Sequence, residues 1–175
     1  EIWVKIEEKY SRAARGGVGY AKAAGNYAAQ FYPTQIAKDE GFQQIIWTDS
    51  NNHNRVEEAG TMNLFFKIND TLITSPTSDS ILDGVTRKSI IDIAKSINIS
   101  VEERDITVEE LLNAHKSGAL KEIFGTGTAV TVLPISGFGY RGNRFSIISN
   151  EEKTSDLLKI KLNNIQYAKT NDFSH

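Results

Sequence analysis

Cysteine is missing from the 175 residues. That absence removes disulfides, a thiol nucleophile and thiolate-bound metals, and it agrees with a reducing cytoplasm. Imidazole is scarce too. Only His53, His115 and His175 are present, far apart along the chain, so no dedicated transition-metal site is expected. Nor is charge of one sign in excess: the net charge is −2, and the basic residues are scattered among acidic ones. This leaves no cluster for neutralising nucleic-acid phosphates. No apolar run reaches the ~20 residues that span a bilayer. No signal-peptide pattern opens the chain, so a cytoplasmic location is expected, with neither membrane nor export. Asn69-Asp70-Thr71 and Asn98-Ile99-Ser100 fit the glycosylation pattern but are read as chance matches for that reason. Repeats, low-complexity tracts and internal linkers are also lacking, and 1–175 reads as one domain.

What is present is ordinary globular material, 39% hydrophobic and 24% charged, enough for a sizeable core. Residues 2–10 alternate, with Ile2, Val4 and Ile6 against Trp3, Lys5 and Glu7, which predicts a strand. A Gly-rich loop follows from Arg12 to Gly19. A helical pattern then runs from Asn26 to about Glu40, kinked at Pro33 and stopped at Gly41. Residues 42–48 and 62–68 are apolar and β-rich, and Asn69-Asp70 predicts a hairpin turn into Leu72-Ile73-Thr74. Helical spacing returns over 86–97. Thr107 with Glu110 forms a capping box for another helix. Val130–Ile135 and Phe145–Ile148 read as strands, and an amphipathic helix covers roughly 152–168. Strands come in neighbouring groups rather than in strict alternation with helices, so the fold class is α+β.

Several short patterns carry possible chemistry. Gly137-Phe138-Gly139-Tyr140-Arg141-Gly142 matches the dinucleotide-binding fingerprint literally, but a strand-like stretch follows it where that motif needs a helix. It reads as a Gly-rich turn between strands. Gly84-Val85-Thr86-Arg87 opens a helix, and the free N–H groups of such a start favour an anion. Gly125-Thr126-Gly127-Thr128-Ala129 reads as a second small-residue turn whose hydroxyls can reach an anion. Lys22 is followed by small residues, Ala23-Ala24-Gly25, before Asn26-Tyr27. A flat ligand can approach such an amine, which becomes nucleophilic if desolvated. Glu57-Glu58 precedes an apolar strand, so one of these carboxylates is expected to point inward.

Taken in order and spacing, Lys22–Tyr27, Glu58-Ala59-Gly60-Thr61-Met62-Asn63, Gly84–Arg87 and Gly125–Ala129 resemble the fold-type IV aminotransferases that use pyridoxal 5′-phosphate (PLP). The branched-chain amino acid enzymes are the nearest group, and Leu162–Tyr167 is similar to the end of that family's last helix. The resemblance covers nearly the whole chain. It implies the C-terminal large domain of that fold, a mixed sheet or pseudo-barrel with surrounding helices. It also implies transamination of leucine, isoleucine or valine with 2-oxoglutarate. Lys22 would form the Schiff base with the cofactor and then act as acid and base; Glu58 would face the pyridine nitrogen. Tyr27 would bond the ring oxygen, while Val85, Thr86 and Thr128 would hold the phosphate. Thr61 and Ala129 would receive the substrate carboxylate.

The resemblance has two departures. Asp83 stands where the family usually has proline, and it is expected to face solvent or cap the helix. Family members are about twice as long and form homodimers, so the 175 residues alone are expected to have little or no transaminase activity. Within the same fold, a D-amino acid aminotransferase or an aminodeoxychorismate lyase would share Lys22 and Glu58. A non-catalytic PLP- or phosphate-binding module is the alternative from another class.

Overall fold

The computed structural model describes residues 2–148 and 152–169; of the three histidines, His175 lies outside them. Among the described residues the order is β1 (Ile2–Ile6), α1 (Ala24–Ala28), α2 (Phe31–Asp39), β2 (Gln44–Thr48), β3 (Val56–Ala59), β4 (Met62–Ile68) and β5 (Thr71–Thr74). There follow α3 (Val85–Ser96), β6 (Ser100–Glu103), α4 (Val108–Lys116), β7 (Leu120–Gly127), β8 (Thr131–Tyr140), β9 (Asn143–Ser146) and α5 (Thr154–Gln166). The fold is α+β. No helix among the described residues is long and apolar enough to cross a membrane.

One 9-stranded sheet carries the architecture, in the order β3-β2-β1-β8-β7-β4-β5-β6 with β9 beside β8. A further pairing of β3 with β4 bends this path into a ring, so that β1, β2, β3, β4, β7 and β8 form a closed pseudo-barrel. Closure leaves both faces of most strands covered. Leu64 and Phe66 of β4 join the cluster containing Val4, Ile6, Ile46, Ile123 and Phe138. Phe65, between them, lies on the opposite face with Phe124, Val132 and the inward residues of α3 and α5. Strands buried on both sides need no polar alternation, which is why 62–68 reads as a continuous apolar run.

The local expectations hold at several points. Gly41 ends α2 with φ of +84°, and Asn69 turns β4 into β5 with φ of +51°. The Thr107 hydroxyl accepts the Glu110 N–H at 3.0 Å. The other half of that capping box is spent elsewhere, because the Glu110 carboxylate grips Arg104 at 2.7 Å.

Four expectations need correction. The helix expected over Asn26–Glu40 is two helices, broken at Ala29-Gln30. Pro33 kinks neither; it sits in the first turn of α2, where its missing N–H costs no helical bond. The strand expected over 2–10 ends at Ile6, because the Glu7 carboxylate folds back to accept the N–H groups of Glu8, Lys9 and Tyr10. Gly137–Tyr140, read as a turn, continues β8, and only Arg141-Gly142 turn the chain. Gly125–Gly127, likewise read as a turn, finish β7.

Besides the apolar packing of Leu158 and Leu162, the start of helix α5 is tied to the sheet by a buried carboxylate. Its own N-cap, Lys153, supplies no side-chain bond to the helix. Instead Glu122 of β7, only 6% exposed, accepts the N–H groups of Thr154 at 2.7 Å and Ser155 at 3.0 Å. Negative charge at a helix start also meets the positive end of the helix dipole. Glu122→Ala is therefore expected to lower stability by about 1.5–3 kcal/mol. Urea denaturation should show a lower midpoint with an unchanged slope, and Glu122→Gln should lose less.

Candidate active site

Lys22 sits in the loop between β1 and α1, with its side chain exposed. The loop is pinned from within. Asn26, 5% exposed in α1, donates its amide to the carbonyls of Val18 and Ala21, both at 2.9 Å. A second set of bonds fastens the loop to the run before α3: Gly16 N–H reaches the Asp79 carboxylate at 2.5 Å, and Tyr20 N–H reaches the Asp79 carbonyl at 3.1 Å. A flexible lysine is thus carried on a fixed base.

The tight turn between β3 and β4 supplies the second group. Ala59 faces Met62 and Glu58 faces Asn63 in the register, so Gly60-Thr61 is a two-residue connection. Gly60 adopts φ of +53°. Both acids of β3 are buried, Glu57 at 7% and Glu58 at 4% exposure. The sequence predicts one inward carboxylate; the structure buries two, on opposite faces of the strand. Glu57 accepts the Ser80 hydroxyl at 2.6 Å. Glu58 takes an ion pair from Arg12 at 2.8 Å and the Leu82 N–H at 3.1 Å. Burial pushes the Glu58 carboxyl up to about 7, although Arg12 and the Leu82 N–H oppose this. Glu57 is also raised by burial.

The third element is the start of α3. Gly84 is its N-cap and offers no side chain to the first-turn N–H groups, which remain open toward a ligand. A side chain here would force the Asn63 amide to move, since a Cβ on Gly84 would lie 2.1 Å from Asn63 Oδ1. Asn63 in turn donates to the Leu82 carbonyl at 2.8 Å, tying the turn to β4. From inside, Arg87, 2% exposed, bonds the Ser75 carbonyl and Glu103 and fixes the helix against β5 and β6. Asp83 caps nothing: its exposed carboxylate pairs with Lys88 at 2.5 Å.

These pieces meet around a cavity of about 230 Å³ lined by Lys22, Thr61, Asn63, Leu82–Thr86 and Thr126–Thr128. Of the residues expected from the sequence, Lys22, Thr61, Val85, Thr86 and Thr128 are on its wall. Glu58 is one residue removed, beneath Leu82 and across from Asn63. Tyr27 is half-buried in α1 and Ala129 is exposed beside Thr128, and neither lines the cavity. The sequence reading counts Thr126 among the turn hydroxyls that can reach an anion but, of these, assigns the phosphate to Thr128 alone. The Thr126 side chain is buried, yet its hydroxyl has no partner among the described residues. The only signal is the Gly-Thr-Gly-Thr pattern, in which strand alternation sends Thr126 inward. Asn26, Asn63 and Arg12 give no signal at all, because their roles are contacts distant in sequence.

Residues 5–138 match the family described as amino-transferase class IV. The chain belongs to that family. Within it, the chain is 42% identical over 170 residues to a probable branched-chain-amino-acid aminotransferase of Staphylococcus epidermidis, covering 97% of this chain and 48% of the relative. It is 40% identical over 158 residues to branched-chain-amino-acid aminotransferase 2 of Bacillus subtilis, covering 90% and 43%. It thus spans about half the length of the curated relatives it matches. The solved branched-chain amino acid aminotransferase of Escherichia coli superposes with a TM-score of 0.82 at 26% identity, over 99% of this chain and 53% of that one. The branched-chain aminotransferase of the archaeon Thermoproteus uzoniensis, solved with norvaline, shares the fold at a TM-score of 0.82 and 24% identity, over 98% and 53%.

The buried acids give the site a pH signature. Glu57 and Glu58 both hold protons more tightly folded than unfolded, so unfolding releases protons and stability falls as pH rises. For Glu58 the loss runs from about 4.5 up to about 7. Chemical denaturation across that window should show a decline on the order of 1 kcal/mol per pH unit. Glu58→Gln should flatten it; an unchanged slope in that variant would refute the assignment.

Proposed function

We propose that residues 1–175 form the PLP-binding C-terminal domain of a longer branched-chain amino acid aminotransferase, acting on leucine, isoleucine and valine with 2-oxoglutarate. One observation carries this reading. An amine, an uncapped helix start and a buried hydroxyl without a partner converge on a single cavity. The amine suits an aldehyde, and the helix start with Thr126 suits a phosphate, so the residues fit the group.

When bound, PLP supplies an aldehyde for covalent attachment and a ring that accepts electrons. The chain's own groups divide the remaining work. Lys22 Nζ would hold the cofactor through its aldehyde and, as a free amine, would take up and return the substrate α-proton. Glu58 holds a proton at the ring nitrogen. Its two oxygens already receive Arg12 and Leu82, yet each keeps a free lone pair for this contact. The N–H groups of Val85 and Thr86 and the hydroxyls of Thr126 and Thr128 anchor the phosphate. Thr61, presented by the tight turn, would receive the substrate carboxylate; the Ala129 backbone and Tyr27, which stand outside the cavity wall, would have to reach the carboxylate and the ring oxygen from its margin. In the longer enzyme we place this domain in a cytoplasmic homodimer.

Incubation with PLP, reduction with borohydride and peptide mapping test the reading. A pyridoxyl adduct is expected at Lys22 and lost in Lys22→Ala. No adduct, or one at another lysine, overturns it. Thr126→Val should weaken PLP binding about tenfold, the equivalent of one net hydrogen bond. The 175 residues alone should show no turnover of leucine with 2-oxoglutarate in a coupled assay. Measurable turnover would sink the claim that the remainder of the enzyme is required.

A further inference from the structure

We propose that Arg12 is the positioning residue of this site: its guanidinium joins the acid, the lysine loop and the approach to α3, and supplies the positive charge that balances the buried Glu58. The proposal rests on the cofactor reading for the purpose of Glu58, but its physical content does not depend on any ligand.

Arg12 lies outside the cavity, in the loop after β1, and its side chain is only 1% exposed. Burying a guanidinium is costly unless its donors and its charge are matched. Here the matches come from three separate stretches of chain. Nε is 2.8 Å from Glu58 Oε1, in an ion pair rather than an aligned hydrogen bond. Nη2 donates to the Gly19 carbonyl at 3.1 Å and to the Ser80 carbonyl at 2.6 Å. Gly19 belongs to the loop that carries Lys22. Ser80 begins the run Ser80-Ile81-Leu82, whose last N–H caps the other oxygen of Glu58. The circuit closes on itself: Arg12 links the acid, the loop and the approach to the phosphate turn to one another. The planar fork of arginine suits this task, because one side chain presents several fixed donors.

The charges around Glu58 make the consequence specific. Arg12 faces it from the β1–α1 loop and the Leu82 N–H from the run before α3; both favour the carboxylate. Its neighbour Glu57 on β3 opposes ionisation, and Asn63 across on β4 is neutral. Arg12 is the strongest influence against burial, so its loss shifts Glu58 further toward the neutral acid.

Two measurements test this. Carbon-13 NMR of glutamate carboxyls, with Glu58 assigned by its loss in Glu58→Gln, gives the Glu58 midpoint directly. Arg12→Gln should raise it by about 1–3 pH units, and Arg12→Lys should fall between. An unchanged midpoint in folded Arg12→Gln overturns the proposal. Should Arg12→Gln fail to fold, the double variant Arg12→Gln/Glu58→Gln decides. If Arg12 acts through Glu58, the double variant folds with a urea midpoint close to that of Glu58→Gln alone. If Arg12→Gln still prevents folding or sharply lowers the midpoint in the Glu58→Gln chain, Arg12 serves only the two carbonyls and the proposal fails. Neither result depends on PLP, so failure of the cofactor reading would appear separately, as absent labelling of Lys22 in the unaltered chain.

Discussion

The short antiparallel pairing of β3 with β4 is the constraint on which the rest depends. Only Glu58–Asn63 and Ala59–Met62 are in register, yet this contact closes the sheet into a barrel. Closure buries two acids in a strand that, left open, would put them in water. It also presents Thr61 at the tip of the turn and sets Asn63 under the N-cap of α3. A barrel closed elsewhere would have a core without this corner.

That corner is assembled from ends of elements rather than from their middles. Lys22 lies before α1, Thr61 between β3 and β4, Val85 and Thr86 at the start of α3, and Thr126–Thr128 where β7 runs out. Element ends leave N–H groups and side chains without partners from their own element, which is the raw material of a binding site. Their positions are fixed by buried contacts behind the cavity. Asn26 holds the lysine loop, Arg87 holds the helix start, and Arg12 holds both to Glu58.

How much of this is legible in the sequence follows the range of the interactions. The 86–97 helix, the Asn69 turn and the Thr107 cap rest on neighbours within a few residues, and local pattern finds them. Strands β3 and β6 escape it because Val56–Ala59 and Ser100–Glu103 carry acids that local pattern assigns to solvent. The first is paired on both edges, with β2 and β4, and the second lies along β5. The end of β7 reads as a turn because Gly125 and Gly127 are small, whereas they are small so that Met62 and the Thr61 backbone can pass close by. Motifs reveal five of the cavity residues. The roles of Arg12 and Asn63 stay hidden, since nothing near them in sequence reveals a partner up to 68 residues away.

The contact between Gly84 and Asn63 has an effect on how such a pocket can diversify. With 2.1 Å between a would-be Cβ and the amide oxygen, any side chain at Gly84 must push the Asn63 amide aside and so disturb its bond to the Leu82 carbonyl. Thr61, Thr128 and Ala129, by contrast, stand exposed at the rim. Substitutions at Thr61 and Ala129 therefore meet solvent first, whereas one at Gly84 meets the amide that ties the turn to β4.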